Sequence, residues 1–218
     1  MLRKNQEFFL HRRWASNEAR KEMDDGLKLL DSIDNPIVSF FGSHMVRPKS
    51  RQYRHAERTA FMLGERGYAV VTGGGPGIMF AANAGAYKAG VPSVGIRASL
   101  ITGERVDGSI YTHTRAYNFL FVRRFILAVK SEALIFYPGG FGTLNELFEY
   151  VVLIQTGMDD NVPIILVGKK HWKGLFDWVE KSLTRQRLLT HGKKDLRMFR
   201  FVDDVDEIVR IVEKNRKR

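Results

Sequence analysis

Two dense glycine clusters dictate most of what this chain can fold into, because each stands between an apolar run and an amphipathic one. Thr72-Gly73-Gly74-Gly75-Pro76-Gly77-Ile78-Met79 closes the apolar run Tyr68–Thr72, and Pro138-Gly139-Gly140-Phe141-Gly142-Thr143 follows Glu132–Tyr137. A smaller junction, Gly42-Ser43-His44, follows Ile37–Phe41. Residues without side chains let the backbone turn sharply and let a ligand approach the main-chain N–H groups. Those free N–H groups and the positive end of a helix dipole favour an anion, typically phosphate. Glycine also serves tight strand–helix turns that bind nothing. Two clusters at junctions of one sheet converge on the same edge, however, which favours one phosphate-bearing ligand of mononucleotide size. Neither cluster is a P-loop, since no Gly-Lys-Ser/Thr follows. Neither gives the dinucleotide fingerprint, since no acidic residue ends the second strand.

The same alternation runs along the chain. Strands are expected at Ile37–Phe41, Tyr68–Thr72, Ser93–Arg97, Glu132–Tyr137, Val162–Val167 and, more briefly, Met198–Val202. Helices are expected at Ser50–Arg66, Gly77–Lys88, Asn118–Lys130, Thr143–Gln155, Trp172–Leu183 and Asp204–Lys214. Continuous Val/Ile/Phe runs between helices indicate strands covered on both faces, hence a parallel sheet. The expected fold is therefore α/β: a Rossmann-like, doubly wound parallel sheet in three α/β/α layers, with ligands beyond the carboxyl ends of the strands. Residues 1–35 form an N-terminal helical extension, with Asn17 as its cap and Asp34-Asn35-Pro36 as its stop. Residues 36–218 form the Rossmann-like part. No linker or repeat divides the chain, so one domain is expected. Trp14, Trp172 and Trp178 read as packing anchors on helices.

Composition narrows the partner. The chain has 218 residues, 44% of them hydrophobic, enough to bury a sizeable core, and no cysteine. Disulfides, thiol nucleophiles and zinc–thiolate sites are thereby excluded. Its 35 Lys and Arg against 24 Asp and Glu give a formal charge of +11. That excess suits nucleic acid or a small phosphorylated ligand. Charge alone does not choose between them; the placement of the glycines favours a small phosphorylated ligand, and nucleic acid is not the expected partner. The apolar runs are far too short to span a bilayer, and MLRKNQEFFLHRRWAS has no apolar leader core, so a cytoplasmic protein without membrane contact is expected. The six histidines show no metal-ligand spacing.

The second cluster continues as Thr143-Leu144-Asn145-Glu146-Leu147-Phe148-Glu149. Thr143-x-x-Glu146 has the spacing of a capping box, in which Glu146 reaches back to the cap. The other reading points Glu146 at the sugar next to a bound phosphate. There a carboxylate steadies an oxocarbenium-like centre or orients water, with Glu149 one turn further along as the backup acid. Upstream, Arg123 and Arg124 stand side by side in an apolar helix. Being about 100° apart on the helix, they face different ways. One is expected to be salt-bridged at the surface and the other to turn toward the site.

These residues resemble a known family. Pro138–Glu146 matches the PGGxGTxxE signature of the LOG (Lonely Guy) family, also labelled lysine decarboxylase-like. Thr72–Met79 is similar to its TGGGPGIM element, with Ala82-Asn83-Ala84-Gly85-Ala86 just after it. Arg123-Arg124 stands where the family has Arg-Lys. Leu147–Tyr150 with Gln155-Thr156-Gly157 resembles its ELFE…QTG continuation, and Pro163–Gly168 its PIxLxG strand. The resemblance covers roughly residues 37 to 205. It implies a nucleotide hydrolase that cleaves the N-glycosidic bond of a nucleoside 5′-monophosphate, of the AMP or cytokinin riboside type, releasing base and ribose 5-phosphate. The catalytic pair carries over to Arg123 and Glu146, and the phosphate loop to Gly139, Gly140, Gly142 and Thr143.

Further substrate contacts are expected from Gly42 and Ser43, from Gly74, Gly75, Gly77, Met79 and Asn83, and from Arg124. Thr102-Gly103-Glu104 looks like the TGE of plant-type members and makes Glu104 a base- or sugar-side candidate. No metal or cofactor is implied, and a homodimer or larger homo-oligomer is. The loop Ala98–Arg105 lacks the family's usual proline-containing motif, which leaves a non-catalytic nucleotide sensor or carrier as the alternative. Lysine decarboxylation is not expected, because neither glycine cluster holds a lysine for a Schiff base.

Overall fold

A computed structural model describes residues 11–99, 108–158 and 162–216. Seven parallel strands form one sheet: β1 (Ile37–Phe41), β2 (Ala69–Thr72), β3 (Ser93–Ala98), β4 (His113–Tyr117), β5 (Ser131–Phe136), β6 (Ile164–Leu166) and β7 (Phe199–Phe201), in the order β4-β3-β2-β1-β5-β6-β7. Helices cover both faces. On one lie α1 (Arg12–Asp31), α4 (Leu120–Ala128), α5 (Phe141–Gln155) and α6 (Lys169–Trp178). On the other lie α2 (Arg51–Gly64), α3 (Ile78–Lys88) and α7 (Val205–Arg216). The fold is the expected doubly wound α/β sheet. Alternate residues of one strand feed the two cores: Ile37 and Phe41 of β1 face α1, α4 and α5, while Val38 and Phe40 face α2 and α3.

The winding reverses between β1 and β5. Strands β1 to β4 build outward on one side, and the chain then crosses back to place β5 against β1. Such a reversal opens a crevice at the carboxyl edge, where the loops after β1 and β5 part to opposite faces. All three glycine junctions lie at that edge, after β1, β2 and β5.

Several local expectations need correction. The strand β4 was not expected, because His-Thr-Arg-Ala-Tyr contains no apolar run. It is the sheet edge, and only Tyr117 is buried. Asn17 does not cap α1, which starts at Arg12 and carries Asn17 inside it. This helix packs on the sheet layer: Leu29, Leu30 and Ile33 enter the core beside Tyr117 and Ile126. Of the three tryptophans only Trp172 is buried, its Nε1 donating to the Val167 carbonyl at 2.9 Å. Trp14 and Trp178 are exposed. Among the described residues no helix is long and apolar enough to cross a membrane.

Candidate active site

The three glycine junctions are bound into one surface by their own main chain. The Ser43 N–H donates to the Pro138 carbonyl at 3.1 Å, and the Ile78 N–H donates to the Ser43 carbonyl at 3.1 Å. Gly77 makes the second contact possible. Its φ of 68° and ψ of −126° suit a residue without Cβ, and a Cβ there would stand 2.3 Å from the Ser43 carbonyl oxygen. Gly139 is constrained by close approach instead, since a Cβ would meet Thr143 Oγ1 at 2.2 Å. Gly140 and Gly142 face open space, with no atom within 4 Å of where a Cβ would project. They are the glycines of this loop most accessible to a ligand.

Other expected contacts have structural work. Gly42 packs against Ile78, and Met79 lies against Gly73. Gly74 and Gly75 are buried. The Ser43 hydroxyl accepts from the Met45 N–H at 3.0 Å. Asn83, read from the sequence as a substrate contact, is fully buried and does not reach the crevice. Its amide donates to Ser93 Oγ at 2.9 Å and to the Val94 carbonyl at 3.2 Å, and its carbonyl accepts from Thr72 Oγ1. Thr72 Oγ1 in turn accepts the Gly74 N–H at 3.0 Å. Asn83 therefore holds the first glycine loop from below. Glu104 lies outside the described residues.

The capping-box reading of Thr143 and Glu146 fails. Helix α5 starts at Phe141 with Gly140 as its cap, so Thr143 already lies inside the first turn. Glu146 turns toward α4 instead, where its carboxylate stands 3.6 Å from the Arg123 guanidinium. Arg123 is braced on two further sides: Nε donates to the Ile96 carbonyl at 2.8 Å and a terminal nitrogen to the Gly73 carbonyl at 3.3 Å. One arginine thus joins β3, the first glycine loop and the acid of the second. Arg124 points away and forms an ion pair with Glu149, while its carbonyl accepts the Tyr150 hydroxyl at 2.7 Å. This divides the two arginines as their angular separation required. It also leaves Glu149 committed to Arg124 rather than poised as a second acid.

Burial raises the Glu146 carboxyl from its ordinary 4.5 to about 7, although Arg123 and Arg124 oppose the rise. Glu149 adds to it. Tyr150, beneath the pair, is pushed well above its usual range by burial and then by these two carboxylates. A carboxyl poised near neutrality, fixed by an arginine and set one turn into a helix with an open glycine loop, is suited to exchanging a proton or facing a developing cation.

Sequence reading missed Glu22. This buried acid of α1 accepts the Asn118 N–H at 2.6 Å and the Phe119 N–H at 3.2 Å, capping the start of the helix that carries Arg123. Its partners lie 96 and 97 residues away, so no local signal marks it.

Comparison with known proteins identifies the family and the fold. A family model described as "Possible lysine decarboxylase" matches residues 79–212. A rice (Oryza sativa subsp. japonica) protein named "Probable cytokinin riboside 5′-monophosphate phosphoribohydrolase" is 25% identical over 162 residues, which are 74% of this chain and 65% of that protein. An Arabidopsis thaliana cytokinin riboside 5′-monophosphate phosphoribohydrolase is 28% identical over 147 residues, 67% of this chain and 68% of that one. Among solved structures, the molybdenum cofactor carrier protein of Chlamydomonas reinhardtii has a TM-score of 0.60 at 20% identity, covering 84% of this chain and 99% of its own. DNA processing protein A of Streptococcus pneumoniae has a TM-score of 0.55 at 14% identity, covering 83% and 63%. At such identities these two structures speak for the fold alone. The family model, by contrast, spans well over half of the chain and includes the whole second glycine cluster with Arg123 and Glu146, so the chain belongs to the LOG family, the one described as "Possible lysine decarboxylase".

Proposed function

We propose that the chain is a nucleoside 5′-monophosphate phosphoribohydrolase, adding water across the N-glycosidic bond to release a free base and ribose 5-phosphate. The observation that carries this reading is the Glu146 carboxyl, raised to about 7 and held 3.6 Å from Arg123 beside the open glycines. The 5′-phosphate binds the N–H groups of Gly140 and Gly142 at the start of α5. Glu146 then faces the sugar as its C1′–N bond stretches. Its carboxylate steadies the positive charge on C1′ and takes a proton from the attacking water, and the departing base gains one from solvent. Arg123 holds the acid in place. A hydrogen remains on each of its terminal nitrogens for the ligand.

Phosphate binding remote from the reacting carbon lowers the barrier only for phosphorylated substrates. With AMP, GMP, CMP and adenosine as substrates, and free base scored by chromatography, at least one monophosphate should be cleaved about 100-fold or more faster than adenosine. Equal rates with AMP and adenosine would overturn the reading. A second reading, binding without cleavage, is favoured by the segment Ala98–Arg105, whose sequence lacks the family's usual proline-containing motif. Micromolar AMP binding with no base released would establish it.

The same helices carry the proposed homo-oligomer contact. Phe121 and Phe125 of α4, with Phe148 and Val152 of α5, are each one turn apart and exposed. Exposed apolar stripes of this kind on the helices that carry Arg123 and Glu146 suit a subunit contact. Sedimentation should give at least twice the 25.0 kDa chain mass, and Phe121→Asp with Phe148→Asp should give monomers. A monomeric parent protein at tens of micromolar would reject this contact.

A further inference from the structure

A second basic hollow lies at the same sheet edge, between the start of α2 and the junction of β6 with α6. It encloses about 570 Å³ and is lined by Arg51, His55, Tyr137, Lys170, His171 and Asp203, among others. A neighbouring hollow of about 440 Å³ shares Gln52, Pro138 and His171 with it and reaches Ser43 and Gly139. The space therefore continues to the glycine loop without including Glu146.

Hydrogen bonds tie down several of the polar groups in this lining. The Thr59 hydroxyl spends its single proton on the His55 carbonyl at 2.8 Å. The Tyr137 hydroxyl must then donate to Thr59 Oγ1, 3.0 Å away, and burial keeps this phenol protonated. The Tyr137 oxygen also lies 2.9 Å from His55 Nδ1. The other ring nitrogen, Nε2, faces the Asp203 carbonyl at 2.9 Å. Both His55 ring nitrogens are thereby held, one by Tyr137 and one by the Asp203 carbonyl. Arg51 and Lys170 form no ion pair among the described residues. The one acid of the lining, Asp203, directs its carboxylate at the Gly168 and Lys169 N–H groups, at 2.6 and 3.0 Å. Two cations, Arg51 and Lys170, thus line a hollow whose only carboxylate is used by backbone.

We propose that this hollow is a second anion subsite, taking a phosphoryl group. The group is either free orthophosphate or the distal phosphoryl of a nucleoside diphosphate whose first phosphate lies on the glycine loop. The subsite stands whether or not the chain cleaves AMP, because it is read by binding. Calorimetric titration of the full chain with AMP, ADP, and orthophosphate in the presence of saturating AMP distinguishes the sources. A free-anion site binds orthophosphate alongside AMP. A site for the same ligand gives ADP at least a tenfold advantage over AMP while orthophosphate adds no further binding. In either case the Arg51→Ala/Lys170→Ala variant should lose the effect by tenfold or more. A melting temperature near that of the parent would show that the variant is folded. The proposal is overturned if orthophosphate does not bind alongside AMP and ADP has no advantage, or if the effect survives in the double variant.

Discussion

Glu146→Gln is expected to lower base release by about 10³-fold while leaving the fold intact, because the proposed reaction needs a carboxylate at this position and the change alters almost no volume. Its pH behaviour separates this role from a structural one. The folded carboxyl titrates at about 7 and the unfolded one at about 4.5, so between these values the folded state binds more protons than the unfolded state. Stability is full below about 4.5, falls as pH rises toward 7, and is flat above that, with a total loss of roughly 3 kcal/mol. The glutamine variant should lose this slope in denaturant titrations run from pH 5 to pH 8. Activity of the parent should move the other way, rising through about pH 7 as the carboxylate forms. Full activity in the variant, or a flat parent profile across that range, would remove Glu146 from the chemistry.

Gly77→Ala is expected to have the largest effect of any single methyl group added at the site. The added Cβ would stand 2.3 Å from the Ser43 carbonyl oxygen, a main-chain atom that no rotamer change can move. The φ of 68° adds strain of its own. Relief requires the loops after β1 and β2 to separate, breaking the Ile78-to-Ser43 hydrogen bond. The expected cost is about 3 kcal/mol or more, measured as a lowered urea midpoint with unchanged slope, together with a weaker AMP affinity. An alanine variant with parental stability and affinity would mean that the junction is not constrained as its geometry implies.

Much of this architecture was legible in the chain because buried parallel strands are uniformly apolar. Val38–Phe41, Ala69–Val71 and Ala133–Phe136 could hardly be anything else, and the glycines after them mark where the sheet turns into helices. The edge strand was hidden for the opposite reason: β4 has one buried residue, so its sequence looks like loop. The capping box misled because its spacing is a local rule. Where α5 starts depends on how the chain leaves β5, with Gly139 packed under Thr143, and that contact places the cap at Gly140. Asn83 misled differently. A polar residue next to a glycine loop looks like a ligand contact, but its partners Ser93 and Val94 come from the next strand and draw it into the core.

The order of most strands and helices, the placement of glycine junctions after apolar strands and the family itself follow from sequence alone. They depend on residue type and short spacing, which the chain carries whether folded or not. Only the tertiary structure decided which arginine meets which acid. Arg123 and Arg124 are adjacent and chemically identical, and the packing of α4 between β3 and α5 turns one toward Glu146 and Gly73 and the other toward Glu149. Burial in that arrangement then sets Glu146 near neutrality, a property of its surroundings and not of the residue.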